Sequence, residues 1–484
     1  MAGTPKTPLN PLQRRLRTAA RVSLYAAFAS TMLSGWLLWK ALADDFRIVF
    51  SHWYDTDFLE YQSVRDLQAL VRIDTTHETG REMDAAVWLA EQLEASGIEA
   101  TIEDMGNGKA NLWARIEGRS PETLILHNHL DTDPVGDVDR WEFDPWSGHV
   151  DLVWLFGRGS FDMKSTVVAQ LHSMRSVAQR IAETGERPAR SLMMLSTSSE
   201  ETGSHEGAQH IVANRPELLE NAWALLSEGG VVEAIDENRV RYLGISFGQK
   251  RFLDVWYEAP DRATLEDVAR EIQSRGQPDR LRIVPPVRLF LEHYASTRIN
   301  TELRTGLSDP DALIADPAQF EAIPKFYRSL FRDEVHILEP QPTESGHRMR
   351  VALHLLPDGD PQELMPYLPD GDELPPGVTR WIDPSLGSTS HSDPDHPAFR
   401  HLRTQLAAIE GVEKAGPYYL TVFANDAQFF RKLGVPSFGF QPFLALSAES
   451  FTVGSTDERI GLPTFIEGVD RYVGLIEELI DLDD

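Results

Sequence analysis

The sequence predicts an α/β fold: a mostly parallel sheet with helices on both faces, an inserted α+β domain, and an N-terminal transmembrane helix. Three observations carry that prediction. Short apolar runs alternate with helical periodicity from Phe58 to about Phe247, and the same texture returns from about Thr379. The stretch between them mixes strand patterns, one helix and a Pro-rich irregular segment. Ahead of everything, Val22–Trp39 runs without a charge.

Taken in order, the N-terminus speaks to location. No acidic residue precedes Asp44, whereas Lys6, Arg14, Arg15, Arg17 and Arg21 are basic. Val22–Trp39 would make roughly 27 Å of helix, enough for a hydrocarbon core. The positive flank keeps the N-terminus cytoplasmic and sends the body across. Trp36 and Trp39 suit an interfacial belt. Ala41-Leu42-Ala43 also reads as a small-x-small cleavage site, which would make the run a removed signal. Both readings export the body.

Within the body, Glu82–Ala95 and Thr166–Ile181 carry helical spacing, and Asn111–Ile116, Thr123–Leu126, Ser191–Leu195 and Ala222–Leu226 read as strands. Arg251–Glu258, Glu334–Leu338 and Met349–Leu356 are strand-like, with a helix at Leu265–Ser274. A helix at Phe399–Glu410, a strand at Ser437–Gln441 and a helix at Leu462–Leu479 close the chain. The resulting division is a basic tail and anchor over 1–43, a first catalytic part over 44–247, an inserted domain over 248–375, and a second catalytic part over 376–484. No repeat or low-complexity tract interrupts it.

Composition excludes several functions. The 484 residues carry 46 basic and 75 acidic side chains, a formal charge of −29, so a basic face for nucleic acid is not expected. Hydrophobic residues at 42% exclude a mostly disordered chain. Cysteine is absent, which removes disulfides, thiolate metal sites and thiol nucleophiles together.

Three apolar runs end in polar residues of one chemical type. Thr123–Leu126 leads into His127-Asn128-His129-Leu130-Asp131, Ser191–Leu195 into Glu200-Glu201, and Ala222–Leu226 into Ser227-Glu228-Gly229-Gly230. Between the first two lies Gly157-Arg158-Gly159-Ser160-Phe161-Asp162-Met163-Lys164. In an open α/β sheet, sites form beyond the carboxyl ends of the strands. Imidazole with several carboxylates and no thiolate suits zinc or a similar divalent ion.

That ordered set resembles the zinc exopeptidase family of aminoacylase, carboxypeptidase G, succinyl-diaminopimelate desuccinylase and carnosinase, over roughly residues 58–484. The resemblance is strongest to the carboxypeptidase-S-like branch, which includes N-acyl amino acid amidohydrolases. The family's His-x-Asp-x-x-Pro is matched by His129 to Pro134, its Trp-x-x-x-Pro-x-Ser-Gly by Trp141 to Gly148, and its Gly-Arg-Gly-x-x-Asp-x-Lys by Gly157 to Lys164. Glu200 to Gly203 matches Glu-Glu-x-Gly, and Ser227 to Gly230 matches Asp-Glu-Gly-Gly. The resemblance implies that His129, Asp162 and Glu228 hold one metal, with Asp162 bridging to a second held also by Glu201. It implies that Asp131 orients His129 and that Glu200 is the general base. A metal lowers the pKa of water towards 7, and a free carboxylate nearby collects the proton.

The departures are equally specific. The family closes its second metal site with a histidine, and the matching stretch Val453-Gly454-Ser455-Thr456-Asp457-Glu458-Arg459 has Gly454 there. A Gly-His-Ser segment in the inserted lid or dimerisation domain is replaced by Tyr257-Glu258-Ala259-Pro260-Asp261-Arg262. The arginine before Leu-Pro-Gly is replaced by His354. Zinc is therefore expected with a full ligand set at one site and one ligand short at the other, unless His205, His391 or His396 substitutes.

The expected protein is an exported, membrane-anchored metallohydrolase cleaving a peptide or N-acyl amino acid amide bond. Its partners would be that substrate, the membrane through the N-terminal helix, and a second copy through the inserted domain, with no nucleic acid. The alternative is an impaired relative that only binds, although a binding protein has little reason to keep a general base. A serine hydrolase is a third possibility, because Gly244-Ile245-Ser246-Phe247-Gly248 matches Gly-x-Ser-x-Gly. That motif needs a strand before it and a helix after it.

Overall fold

The computed structural model describes residues 57–482, apart from 78–79, 237–238, 344, 384–387, 422–423 and 446. Val22–Trp39 lies outside the described residues. Among those described, no helix is long and apolar enough to cross a membrane.

A nine-stranded sheet forms the frame. Its centre holds the predicted apolar runs as strands Thr123–His129, Ser191–Thr197 and Ala222–Ser227, with Ser437–Gly439 beside the last. These four run parallel. The sheet as a whole is mixed rather than mostly parallel. Ala100–Gly106 and Lys109–Ile116 form an antiparallel hairpin on one side, and Val231–Asp236 pairs antiparallel with Arg239–Gln249 on the other. The apolar runs that sequence periodicity detects are the doubly buried central strands, in which every residue but Ala222 is buried. The outer strands Ala100–Gly106 and Val231–Asp236 bury no residue fully and read weakly as single segments.

Alternation along one strand shows both covered faces. Ile125 packs with Ala208, Ile211 and Phe430, from the helices Ala208–Asn214 and Ala427–Lys432. Asn128, of opposite parity, donates to Gln170 Oε1 on the helix Lys164–Thr184 at 2.7 Å. That helix ends at Gly185, whose φ of +73° supplies the left-handed cap.

The intervening chain builds a five-stranded antiparallel sheet around Arg251–Ala259 and Gly346–Leu355, covered by the helix Arg262–Arg275. Leu265, Val268 and Ile272 lie on one face of that helix and are buried against Val255, Tyr257 and Val351. The Pro-rich segment is not irregular. It forms short helices, each opened by a proline at Pro285, Pro310 and Pro317, where the missing N–H costs nothing. The first of them, Pro285–Tyr294, sets Phe290 against Tyr418 of the main sheet, with ring centres 5.2 Å apart.

Candidate metal centre

The parallel strands end side by side. His129 is the last residue of its strand and pairs in register with Thr197, the last of the next. Glu200 and Glu201 follow within four residues, and Glu228 follows directly on Ser227. Asp162 arrives from the loop before the helix Lys164–Thr184. The predicted residues thus converge at the carboxyl ends of adjacent strands.

His129 is the hub, its side chain only 1% exposed. Its Nδ1 lies 2.9 Å from the Asp131 carbonyl, which places the proton there and turns Nε2 towards the carboxylates. Nε2 stands 3.5 Å from Asp162 Oδ1 and 3.9 Å from Glu228 Oε2. Ligands at about 2.0–2.1 Å from a tetrahedral zinc lie about 3.3–3.4 Å apart, so this spacing is near that of donors around one ion. His129, Asp162 and Glu228 form one group able to hold a metal, and His129, Glu200 and Glu201 form another.

Asp131 has a second task beside its contact with His129. Its carbonyl lies 2.9 Å and its carboxylate 3.5 Å from His129 Nδ1. Its Oδ1 also accepts the Glu200 N–H at 2.9 Å and its Oδ2 the Glu201 N–H at 3.0 Å. The turn needs that support, because Ser199 before it has φ +62°, a left-handed conformation uncommon for serine.

Two further acids complete the site. Glu458 Oε1 accepts the N–H groups of Phe161 and Asp162 at 3.0 and 3.1 Å, and its Oε2 accepts from Arg158 Nη1 at 2.5 Å. Both Arg158 and Glu458 are buried. Asp426, also buried, accepts from Ser204 Oγ and from Thr197 Oγ1, behind Glu200 and Glu228. Sequence reasoning quoted Arg158 and Glu458 only as motif context, and missed Asp426. Its one signal was position, directly ahead of an apolar helical segment.

Electrostatics asks for a cation. Burial, and next Asp162, push Glu228 up to about 8. Burial followed by Glu228 raises Glu200 well above the carboxylate range, and burial followed by Asp162 does so for Glu201. Burial opposes charge on His129, yet the negative Asp131 and Asp162 carboxylates beside it hold it well above its ordinary value. Asp162 Oδ1 is buried with no hydrogen-bond donor. A buried carboxylate oxygen left bare among other carboxylates fits a divalent ion and little else.

Other candidates lie elsewhere. His354 packs on Phe252 and His336 in the inserted sheet. Glu334, His336 and His354 could chelate, but Lys250 Nζ already sits 3.0 Å from Glu334 Oε2, neutralising the group. His205 faces Asp383 at 3.5 Å, His391 lies against Phe247, and His396 caps the helix Pro397–Ala407. Among the described residues none of these three joins a metal-capable group. Ser246 lies inside the strand Arg239–Gln249, and another strand follows, so the nucleophile elbow is absent.

The sequence profile of peptidase family M20/M25/M40 matches residues 125–478. Aminoacylase-1 of Sus scrofa is 23% identical over 430 residues, spanning 87% of this chain and 96% of that protein. Succinyl-diaminopimelate desuccinylase of Alkalilimnicola ehrlichii is 33% identical over 150 residues, 31% of this chain and 38% of its own. An M20 family metallo-carboxypeptidase from Sulfolobus solfataricus shares the fold at 17% identity and TM-score 0.64, covering 87% of this chain and 100% of its own.

Proposed function

The chain belongs to peptidase family M20/M25/M40, which makes it a metal-dependent amide hydrolase, and we propose that it cleaves a peptide or N-acyl amino acid bond outside the cytoplasm, anchored by Val22–Trp39. The observation that carries the catalytic reading is the convergence of Asp162, Glu200, Glu201 and Glu228 on one buried imidazole, that of His129. His129, Asp162 and Glu228 would hold zinc, and Asp162 with Glu201 would hold a second ion. When bound, the metal supplies Lewis acidity to the scissile carbonyl and acidifies water.

The remaining work falls to the chain. With three carboxylates committed to ions, Glu200 is the one left to move a proton. It takes the proton from the attacking water at a carboxylate oxygen and delivers it to the leaving nitrogen. Asp131 fixes where that carboxylate stands through the Glu200 N–H. The lid histidine and arginine of the family are missing here, which favours a substrate not gripped by a lid guanidinium.

The inserted sheet extends past 375 to the edge strand Thr379–Ile382, paired with Arg251–Ala259, and its exposed Trp381 and Ile382 support pairing of two copies through this domain. The five basic residues before an uncharged span support export with the N-terminus inside. Two experiments test the proposal. Glu200→Gln should retain metal but lose hydrolysis of an N-acyl amino acid panel. Protease added to cells whose outer envelope has been opened but whose cytoplasmic membrane is intact should degrade the body. Activity surviving in Glu200→Gln overturns the catalytic assignment, and a body protected until lysis overturns the location.

A further inference from the structure

The inserted sheet packs one face under the helix Arg262–Arg275, with Leu253, Val335 and Leu353 on that side. Side chains alternate along a strand, so Phe252, Glu334, His336 and His354 fall on the other face. Register then brings them together. Glu334 stands opposite His354, which stands opposite Phe252 on the next strand. His336, two residues on from Glu334, is the diagonal neighbour of His354.

The two imidazole rings lie with centres 4.2 Å apart. One donor atom from each of Glu334, His336 and His354 lies within 4.8 Å of the others. His336 Nε2 stands 3.6 Å from Glu334 Oε2, too long for a hydrogen bond but close to the spacing of two donors on one ion. His336 Nε2 and His354 Nδ1 are both buried and, among the described residues, have no hydrogen-bond partner. His354 as a whole is only 9% exposed. Buried polar atoms are nearly always paired, so two bare ring nitrogens beside one carboxylate point to a ligand.

The carboxylate already has a partner. Lys250 Nζ donates to Glu334 Oε2 at 3.0 Å and to the Arg332 carbonyl at 2.9 Å. An ion here meets no net negative charge, so its binding rests on the nitrogens. Magnesium and calcium need oxygen ligands, whereas imidazole suits zinc, copper and nickel. The ammonium also repels a cation that shares its carboxylate, which weakens the site.

We propose that Glu334, His336 and His354 form an additional, exchangeable site for a zinc-class ion, separate from the centre built on His129. The two groups share no residue, and the proposal does not depend on the hydrolase reading. Three protein donors leave a position for water. The ion would clamp the edge strand Glu334–Ile337 to Gly346–Leu355 at the root of the inserted domain. There the Lys250 N–H donates to the Leu420 carbonyl of the main sheet at 2.9 Å.

The test uses the full chain in detergent, stripped by chelator and dialysed against Zn²⁺, with ion content measured before and after desalting. His129→Ala is the parent, so that the first centre contributes little. It should take up one ion per chain in dialysis and lose it on desalting. That ion should also raise its melting temperature, since a ligand of the folded state stabilises it. Adding His336→Ala or His354→Phe should weaken uptake by more than about 100-fold, beyond the 10–100-fold typical of losing an outer partner. Both should abolish the thermal shift, and melting in chelator checks that each still folds. His401→Ala, whose ring pairs with Glu478, should bind like the parent.

Unchanged uptake in either His336→Ala or His354→Phe overturns the proposal and marks the binding as adventitious. So does loss of uptake in His401→Ala, or a folded parent that takes up no ion. Neither result touches the hydrolase reading, which rests on ions that survive desalting in wild type. If His129→Ala does not fold, the two variants are made in wild type. Each must then hold one ion fewer in dialysis while keeping the desalting-resistant ions, and equal content overturns the proposal.

Discussion

Asp131 and Glu200 are joined side chain to backbone: the Asp131 carboxylate accepts the Glu200 N–H at 2.9 Å and the adjacent Glu201 N–H at 3.0 Å. One acid, two residues beyond the metal-facing histidine, thereby sets the position of the general base. Asp131→Asn replaces one acceptor oxygen with a donor facing an N–H. It should lower kcat by about 10–100-fold, the usual cost of losing an outer partner. Full activity in that variant would show the turn to be self-supporting.

Glu200→Gln isolates the proton transfer. General acid–base catalysis contributes about 10²–10⁴-fold, so kcat should fall in that range while metal content stays at the wild-type level. Loss of metal together with activity would instead mark Glu200 as a ligand.

Glu82 gives a pH prediction that does not depend on a ligand. It opens the helix Glu82–Glu94, is fully buried, and neither carboxylate oxygen has a hydrogen-bond partner. Burial first, and Asp131 second, raise it from 4.5 to about 8. Below 4.5 it is protonated in both folded and unfolded chains and contributes no pH dependence. Between 4.5 and 8 the folded chain keeps a proton that the unfolded chain releases, so stability falls as pH rises. The slope from one such group reaches at most about 1.4 kcal/mol per pH unit. Glu82→Gln should flatten that part of the thermal stability profile of the metal-stripped protein, and an unchanged slope would place the proton elsewhere.

The Arg158–Glu458 pair links folding to the centre. Glu458 carries the N–H groups of Phe161 and Asp162 and pairs with buried Arg158. Glu458→Gln leaves the guanidinium without its anion. Breaking a buried pair costs about 3–5 kcal/mol, and the Asp162 loop should loosen with it. Denaturant unfolding should report the loss, and metal affinity should fall in parallel. A stable variant with normal metal content would show that the loop does not need this anchor.

Much of this was legible in the sequence because central parallel strands are continuous apolar runs and their polar ends carry the chemistry. Thr123–Leu126, Ser191–Leu195 and Ala222–Leu226 fall within adjacent strands, and His129, Asp162, Glu200, Glu201 and Glu228 meet at their ends. The antiparallel flanks were not legible as such, since Ala100–Gly106 buries no residue fully and its pairing is fixed only by the turn into Lys109–Ile116. The helices at Pro285–Tyr294, Pro310–Ala315 and Pro317–Ala322 were obscured by prolines that open helices as readily as they break them. Asp426 was hidden for a different reason: it gains its meaning from Ser204, a segment far away in sequence.

The central claim is that His129 organises a divalent metal centre, and metal content tests it most directly. Elemental analysis of the full chain purified in detergent, beside His129→Ala, should find one or two ions per wild-type chain, zinc among them, and a sharp fall in the variant. No bound metal in the wild type, even after zinc is added back, would contradict the account.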